Sequence, residues 1–504
     1  MVKKTTEKKQ AVPQLALRPP IVVVMGHIDH GKTSLLDQIR KTKVAEKEAG
    51  GITQGIGAYQ IEHHGKKITF IDTPGHETFS AMRTRGAHVA DIAVLVVAAD
   101  EGVKPQTEEA IKTISASELP FVVAISKIDK PNADPKRVKQ DLAEHSVLVE
   151  GYGGTVPVVE LSAKTGEGID SLLETILLLA ELEELTSDPT KPGEGVVIES
   201  HLDPRRGNAA TLLVENGSIA RGGFIVIGDT VTPIRIFENF LGQPIDHASA
   251  SDPIRITGFG RVPELGERFF IFPTKAEAEA ANVLPHTNAA NGKVESTAAS
   301  NVVEIIIKAD TYGSREAIEQ ALAAIGSAEL GNHILKSEVG DINESDVKLA
   351  GAAKNAFIIG FKVNMAPRVA DLAERSGVNI ILNDVIYELL DRVKETMVAM
   401  APVELKRVEL GTAKILARFK EEKGKQIVGG KVESGLIRKG ARFDIIRNQL
   451  VIGAGRILEL QRERTSVDEV PEGSEFGILA DGSISLAPSD TIAVFTEEKV
   501  THQL

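Results

Sequence analysis

The sequence predicts a multidomain chain of mixed class, α/β plus β. Three observations predict it. Strand and helix signals alternate from residue 19 to about 186 and again from 301 to 382. Short strands with glycine turns fill 195–273 and the last hundred residues. A nine-residue stretch of the first all-β region is echoed in the second. At 504 residues the chain exceeds a single core and matches three to five domains. Hydrophobic content of 42% and charged content of 26% are those of a soluble globular protein.

Taken in order, residues 1–18 carry Lys3, Lys4, Lys8 and Lys9 without an apolar core, and read as a short basic tail rather than a signal peptide. The next domain, 19–186, opens on Ile21-Val22-Val23-Val24, a buried strand. Lys32–Arg40 follows as a helix with Leu35, Leu36 and Ile39 on one face. Ile68–Ile71, Ile92–Val97, Phe121–Ile125 and Val156–Leu161 are further strands, and Gly168–Leu185 is a helix with a Leu/Ile stripe. This is the pattern of a doubly wound parallel sheet.

Ser187-Asp-Pro-Thr-Lys-Pro-Gly-Glu194 reads as a linker into a β-barrel domain, 187–296, that ends in a helix and a second linker within 274–300. In 297–382 the strands are Val302–Lys308, Phe357–Val363 and Asn379–Leu382, with helices near Ser314–Ile325 and Arg368–Ser376. Asn383 reads as the N-cap of a longer helix through Met400, so 383–401 is a connecting helix. Residues 402–504 form a C-terminal β-barrel. Val214-Glu-Asn-Gly-Ser-Ile-Ala-Arg-Gly and Val432-Glu-Ser-Gly-Leu-Ile-Arg-Lys-Gly, each followed by a Phe and an Ile-rich strand, suggest two barrels of one type.

Composition excludes several chemistries. The sequence holds no cysteine, so disulfides, thiolate metal sites and a cysteine nucleophile are out. No run of about 18 apolar residues is present, so no membrane span is expected and the cytoplasm is the expected compartment. A net charge of −13 argues against non-specific coating of nucleic acid. Residues 401–450 nevertheless hold twelve Lys/Arg against six acids. That local balance suits an RNA contact or a solvated barrel face equally.

The chemistry begins at residues 26–33, Gly26-His27-Ile28-Asp29-His30-Gly31-Lys32-Thr33, which match G-x-x-x-x-G-K-[ST] between a strand and a helix. In such a P-loop, backbone N–H groups cradle phosphates, Lys32 neutralises the outer ones and the Thr33 hydroxyl reaches Mg²⁺. Four further elements follow, as a guanine-nucleotide switch protein requires. Asp72-Thr-Pro-Gly75 offers a carboxylate to Mg²⁺ and an N–H to the γ-phosphate. Upstream, Thr53 of Gly50-Gly-Ile-Thr-Gln54 can complete the Mg²⁺ shell in a segment that orders with GTP and relaxes with GDP. Ser126-Lys127-Ile128-Asp129 supplies an acceptor for guanine N1–H and N2–H. Ser162-Ala163-Lys164 suits a backbone contact to O6. His76, after this Asp72–Gly75 motif, stands where such enzymes orient the attacking water. His27, His30, His63, His64 and His88 read as structural, with no pair at metal-ligand spacing.

These motifs resemble the translational GTPases. Met82-Arg-Thr-Arg-Gly-Ala87 and Val94-Leu-Val-Val-Ala-Ala-Asp-Glu-Gly-Val-Lys-Pro-Gln-Thr107 narrow the resemblance to the bacterial translation initiation factor two family. It continues through Lys308-Ala-Asp-Thr-Tyr-Gly-Ser314 and Gly411-Thr-Ala-Lys414, nearly to the end. The resemblance implies a GTPase domain, a barrel, a small α/β/α domain, a long helix and a terminal barrel. It implies GTP/GDP and Mg²⁺ as ligands, the small and large ribosomal subunits and initiator tRNA as partners, no membrane, and a monomer. It also places Gly430, Arg462, Glu475 and Phe476 at the tRNA-binding site of the last barrel.

Four departures from the family pattern stand out. Ser126 replaces an Asn, and the shorter side chain is expected to loosen the tie between base pocket and phosphate loop. Gly55 replaces a His, with altered switch mobility expected. Gly430 and Phe476 occupy positions where family members carry cysteines. Either formyl selectivity is reduced or the pocket is repacked around the same ligand. A factor delivering a special aminoacyl-tRNA and a GTP-dependent scaffold are the competing functions. The α/β segment 301–382 and its helix to Met400 favour initiation over delivery.

Overall fold

Val22, Val23, Val24 and Met25 are fully buried, because their strand lies at the heart of a sheet covered on both faces. A computed structural model describes residues 15–41, 55, 57–203, 205–282, 301–326, 330–353, 355–400, 405–422, 425–482 and 484–499. The chain forms two compact units, divided after Met400. No described helix is long and apolar enough to cross a membrane.

In the first unit the central sheet has six strands, ordered Gly57–His63, Lys66–Asp72, Ile21–Gly26, Ile92–Ala98, Phe121–Ser126 and Val158–Glu160. The first pair is antiparallel and the rest are parallel. The edge hairpin strand Gly57–His63 was not legible in the sequence. Ala16–Leu17, read as part of the basic tail, pairs with Thr186–Ser187. Arg18 then donates from both terminal nitrogens to Asp91 at 2.7 and 2.6 Å.

The loop leaving Ile21–Gly26 is seated tightly on the sheet. At Gly26 φ is +146°, and a Cβ would lie 2.3 Å from the Val96 carbonyl oxygen, so only glycine fits. His30 is fully buried, with Nδ1 3.4 Å from the same carbonyl, and its Nε2 has no partner. Burial, seconded by His27, pushes its pKa down to about 3.

Next comes a seven-stranded antiparallel sheet ordered Thr230–Pro233, Phe224–Ile227, Arg268–Phe272, Glu194–Asp203, Gly207–Asn216, Pro253–Phe259 and Ile236–Asn239. Its turn at Ser251 docks on the first domain. Thr69 Oγ1 donates to Ser251 O at 2.6 Å, and Ser251 Oγ donates to Pro19 O at 2.6 Å. The helix expected after this sheet is Lys275–Ala281; the second linker, 283–300, lies outside the described residues.

The third part is a four-stranded parallel sheet, ordered Leu330–Val339, Asn301–Ala309, Ala356–Phe361 and Asn379–Asn383. Helices Tyr312–Ala324 and Ile386–Met400 pack against each other, and Glu344–Ala352 packs against Pro367–Ser376. The strand Leu330–Val339 and helix Glu344–Ala352 were not read from the sequence. Asn383 accepts a hydrogen bond from Val385 N–H at 2.9 Å. Leu389 N–H donates to Val385 O, so the helix starts beyond the expected cap. Ile386, Leu389, Leu390, Val393 and Met397 form its buried stripe.

The second unit is a closed barrel, joined in the ring Leu405–Glu422, Thr491–Lys499, Arg442–Arg447, Leu450–Arg462, Glu475–Gly482, Lys425–Arg438 and back to the first strand. The sequence echo has a structural counterpart. Gly217 and Gly435 both adopt left-handed φ, +78° and +67°, with backbone carbonyls where a Cβ would go.

Because His30 titrates lower in the fold than its ordinary 6.5, its contribution to stability is complete above that pH and is lost as pH falls towards about 3. The urea midpoint of the first unit is therefore expected to drop between about pH 7 and 5, and His30→Asn to flatten that slope. In the barrel, Phe443 is fully buried. Phe443→Ala is expected to cost about 3–5 kcal/mol, read by denaturant unfolding.

Candidate nucleotide-binding site

The helix Lys32–Arg40 begins at Gly31, which adopts φ 88°, ψ 20° and offers no side-chain cap. A helix start carries N–H groups that have no acceptor within the helix, the arrangement that anion binding uses. Around them, Ile28, Asp29, Gly31, Lys32, Thr33 and Ser34 form one wall of a cavity of about 300 Å³. Gly75, His76, Ser126, Lys127, Asp129, Lys130, Ala163 and Lys164 complete it. Fourteen residues from four separate loops thus converge, and they include most of the residues predicted from sequence.

Lys32 is the electrostatic centre. Its ammonium is buried and donates to the carbonyls of Gly26 (2.8 Å) and His27 (2.7 Å). Burial lowers its pKa to about 8, against the opposing pull of Asp72. Gly75 crosses directly above, where a Cβ would lie 2.5 Å from Lys32 Nζ. A buried cation beside the N–H groups of a helix start fits a nucleotide's phosphates. Thr33 is the second residue of the helix, and Asp72 is buried at the end of its strand, the donor types that suit Mg²⁺. Thr53 and the Gly50–Gln54 segment lie outside the described residues. Gly55 is described, and a Cβ on it would meet Glu199 Oε2 at 3.5 Å.

The base side is built on Ser126 and Asp129. Ser126 makes a tie of its own between the base pocket and the phosphate loop. Its hydroxyl donates to His30 O at 2.5 Å, tying the base loop to the phosphate loop from a fully buried position. Ser162 Oγ donates to Asp129 Oδ1 at 2.7 Å and accepts from Thr165 N–H at 3.2 Å. That hydrogen bond holds the exposed Asp129 carboxyl below the usual range, ionised as an acceptor. Ala163 and Lys164 line the same wall.

His76 accepts at Nδ1 from Thr78 N–H at 3.3 Å, capping the short helix Glu77–Phe79. Burial lowers its pKa, so the ring is neutral near pH 7. The ring lies parallel to Tyr387, centroids 6.4 Å apart at 11°. Three residues here were not singled out from sequence. Arg83, buried, donates to Pro74 O (3.2 Å), His76 O (2.5 Å) and Glu109 Oε1 (2.6 Å). Gln106 accepts from Ile28 N–H at 2.9 Å, and Tyr387 comes from the third part. Arg83 and Gln106 fall inside stretches that carry the family resemblance; Tyr387 gave no signal.

In the barrel unit, Gly430 and Phe476 are cross-strand partners. A Cβ on Gly430 would lie 2.4 Å from the Lys414 carbonyl oxygen and 2.6 Å from Phe476 Cζ. Phe476 belongs to the barrel core, while Arg462 and Glu475 are exposed. Part of the basic excess of 401–450 is neutralised in place: Arg407 pairs with Asp444, Arg438 with Glu469, Arg442 with Glu497 and Arg447 with Asp490.

Three family models match in succession: Elongation factor Tu GTP binding domain over residues 18–181, Elongation factor G domain 2 over 192–272 and Translation-initiation factor 2 over 277–394. The chain is 44% identical, over 97% of its length, to Translation initiation factor IF-2 of Carboxydothermus hydrogenoformans, and spans 60% of that protein. It is 43% identical, over 96% of its length, to the Bacillus subtilis factor of the same name and spans 70% of it. Among solved structures, GDP-bound aIF5B from Aeropyrum pernix aligns with 95% of this chain and 92% of its own, at 26% identity and a TM-score of 0.47. With that identity sustained through all of its domains, the chain belongs to the translation initiation factor IF-2 family.

Proposed function

We propose that the protein is a GTPase of translation initiation that binds GTP and GDP with Mg²⁺, acts with the small and large ribosomal subunits, and holds initiator tRNA on its terminal barrel. The observation that carries the nucleotide reading is the convergence of a buried lysine, an uncapped helix start and an oriented carboxylate on one cavity. The backbone N–H groups of Gly31–Thr33 and the Lys32 ammonium hold the β- and γ-phosphates. Asp129, fixed by Ser162, accepts both guanine N–H groups, which adenine does not offer. Mg²⁺, when bound through Thr33 and Asp72, neutralises charge on the outer phosphates.

His76 is the group that positions the attacking water. Its neutral ring acts by orientation, with Nδ1 engaged by Thr78 and Nε2 left to face the reaction. In this structure the ring lies against Tyr387, so hydrolysis requires it to swing from the third part towards the phosphates. A slow intrinsic rate, raised when the ribosome places His76, follows from that geometry.

For the barrel, the Phe476 ring fills the space beside Gly430 that two smaller side chains would line. We therefore assign reduced formyl selectivity, with Arg462 and Glu475 left at the surface for the acceptor end of the tRNA. The reading that favours a scaffold has one observation behind it, the pairing of four basic residues of 401–450 with acids.

His76→Ala is expected to abolish ribosome-stimulated hydrolysis while GDP affinity, read by fluorescent-nucleotide titration, stays within about twofold. Asp129→Asn turns an acceptor into a donor and is expected to weaken GDP binding by about a hundredfold or more, from two charge-assisted hydrogen bonds. Methionyl initiator tRNA with and without formyl should bind within about threefold of each other. Phe476→Cys, which removes the ring and leaves Gly430 in place, should restore a preference of about tenfold, about 1.4 kcal/mol. No tRNA binding at all would instead support the scaffold.

A further inference from the structure

The edge hairpin formed by Gly57–His63 and Lys66–Asp72 reverses through His64 and Gly65, both left-handed at φ +49° and +75°. Successive side chains of a strand point to opposite faces. The left-handed His64 breaks that alternation and brings its ring to the same side as His63, centroids 4.2 Å apart at 66°. Facing them is the helix Ile169–Leu182, whose Glu174 places Oε1 3.9 Å from His64 Nε2. One ligand atom from each of His63, His64 and Glu174 lies within 4.8 Å of the others.

Two further observations favour an ion there. His63 Nε2 is shielded from solvent and has no hydrogen-bond partner. The hairpin's two lysines are engaged elsewhere: Lys66 bonds Glu181, and Lys67 lies 3.7 Å from Asp252. Neither neutralises Glu174. Sequence spacing gave no hint of this cluster, because the carboxylate comes from a helix far along the chain.

We infer that His63, His64 and Glu174 bind a divalent cation of the zinc type. Two imidazoles and a carboxylate, with water in the remaining position, are a donor set suited to Zn²⁺. Ligands about 2.1 Å from a tetrahedral ion stand about 3.4 Å apart. The three atoms must therefore close by at most about 1.4 Å, within the reach of rotamer changes in the exposed His64 and Glu174. A bound ion ties the hairpin to the helix, and the second hairpin strand ends at Asp72. None of the three residues lines the nucleotide cavity.

The test uses the full chain without an affinity tag, saturated with Mg·GDP so that Thr33 and Asp72 are engaged. Zn²⁺ is titrated against a chromophoric chelator. One Zn²⁺ per chain at micromolar affinity is expected. His63→Ala with His64→Ala should remove it, and Glu174→Gln should weaken it at least tenfold. Both variants should keep wild-type GDP affinity, which reports that they are folded. Zn²⁺ should also raise the unfolding temperature of the wild type and leave that of the double variant unchanged. The site is overturned if the wild type takes up no more Zn²⁺ than the double variant, or if Glu174→Gln weakens binding less than tenfold.

Discussion

The burial of one ammonium group organises the phosphate loop and everything packed upon it. Lys32 is taken out of water at a cost that its lowered pKa records. The carbonyls of Gly26 and His27 and the carboxylate of Asp72 are the groups that offset that cost. Those groups can converge only because the loop lies flat on the sheet, which Gly26 permits by approaching the Val96 carbonyl where no side chain fits. Gly75 meets the same constraint from the other side, passing over Nζ with no room for a Cβ. The glycines of both loops are thus consequences of placing a cation in a dry site.

From that centre, contacts run outward through the segment following Asp72. Arg83 holds the carbonyls of Pro74 and His76 and is itself held by Glu109. The helix that carries Arg83, Ser80–Val89, presents Arg85 to Glu316 in a two-bonded ion pair and Met82 to Gly313. His76 meets Tyr387 of the helix Ile386–Met400. A movement of the Asp72–Phe79 segment therefore changes contacts with the third part directly. The Ser251 turn fixes the barrel of the first unit to the strand Lys66–Asp72 by hydrogen bonds that do not involve this segment.

The terminal barrel shows how one scaffold is reused with a different interior. Its turn glycine, Gly435, repeats the geometry of Gly217. Phe476 pairs with Gly430 across the strands and joins the barrel core. The neighbouring Arg462 and Glu475 stay at the surface of the barrel.

Sequence alone determined the order of the parts and the loops that carry chemistry. Strand periodicity, glycine spacing and the succession of Gly26–Thr33, Asp72–Gly75, Ser126–Asp129 and Ser162–Lys164 are local properties, and each follows its own strand. Only the tertiary structure decided how distant groups meet. The Ser126 hydroxyl reaches His30 O across the two loops. Tyr387 stands against His76, and Glu174 stands against a hairpin whose histidines were read as structural. The edge strand Gly57–His63 escaped notice because half-exposed strands lack the continuous apolar run that marks buried ones. Pairings between residues far apart in the chain leave no periodicity behind, and they are fixed by packing that the sequence does not display.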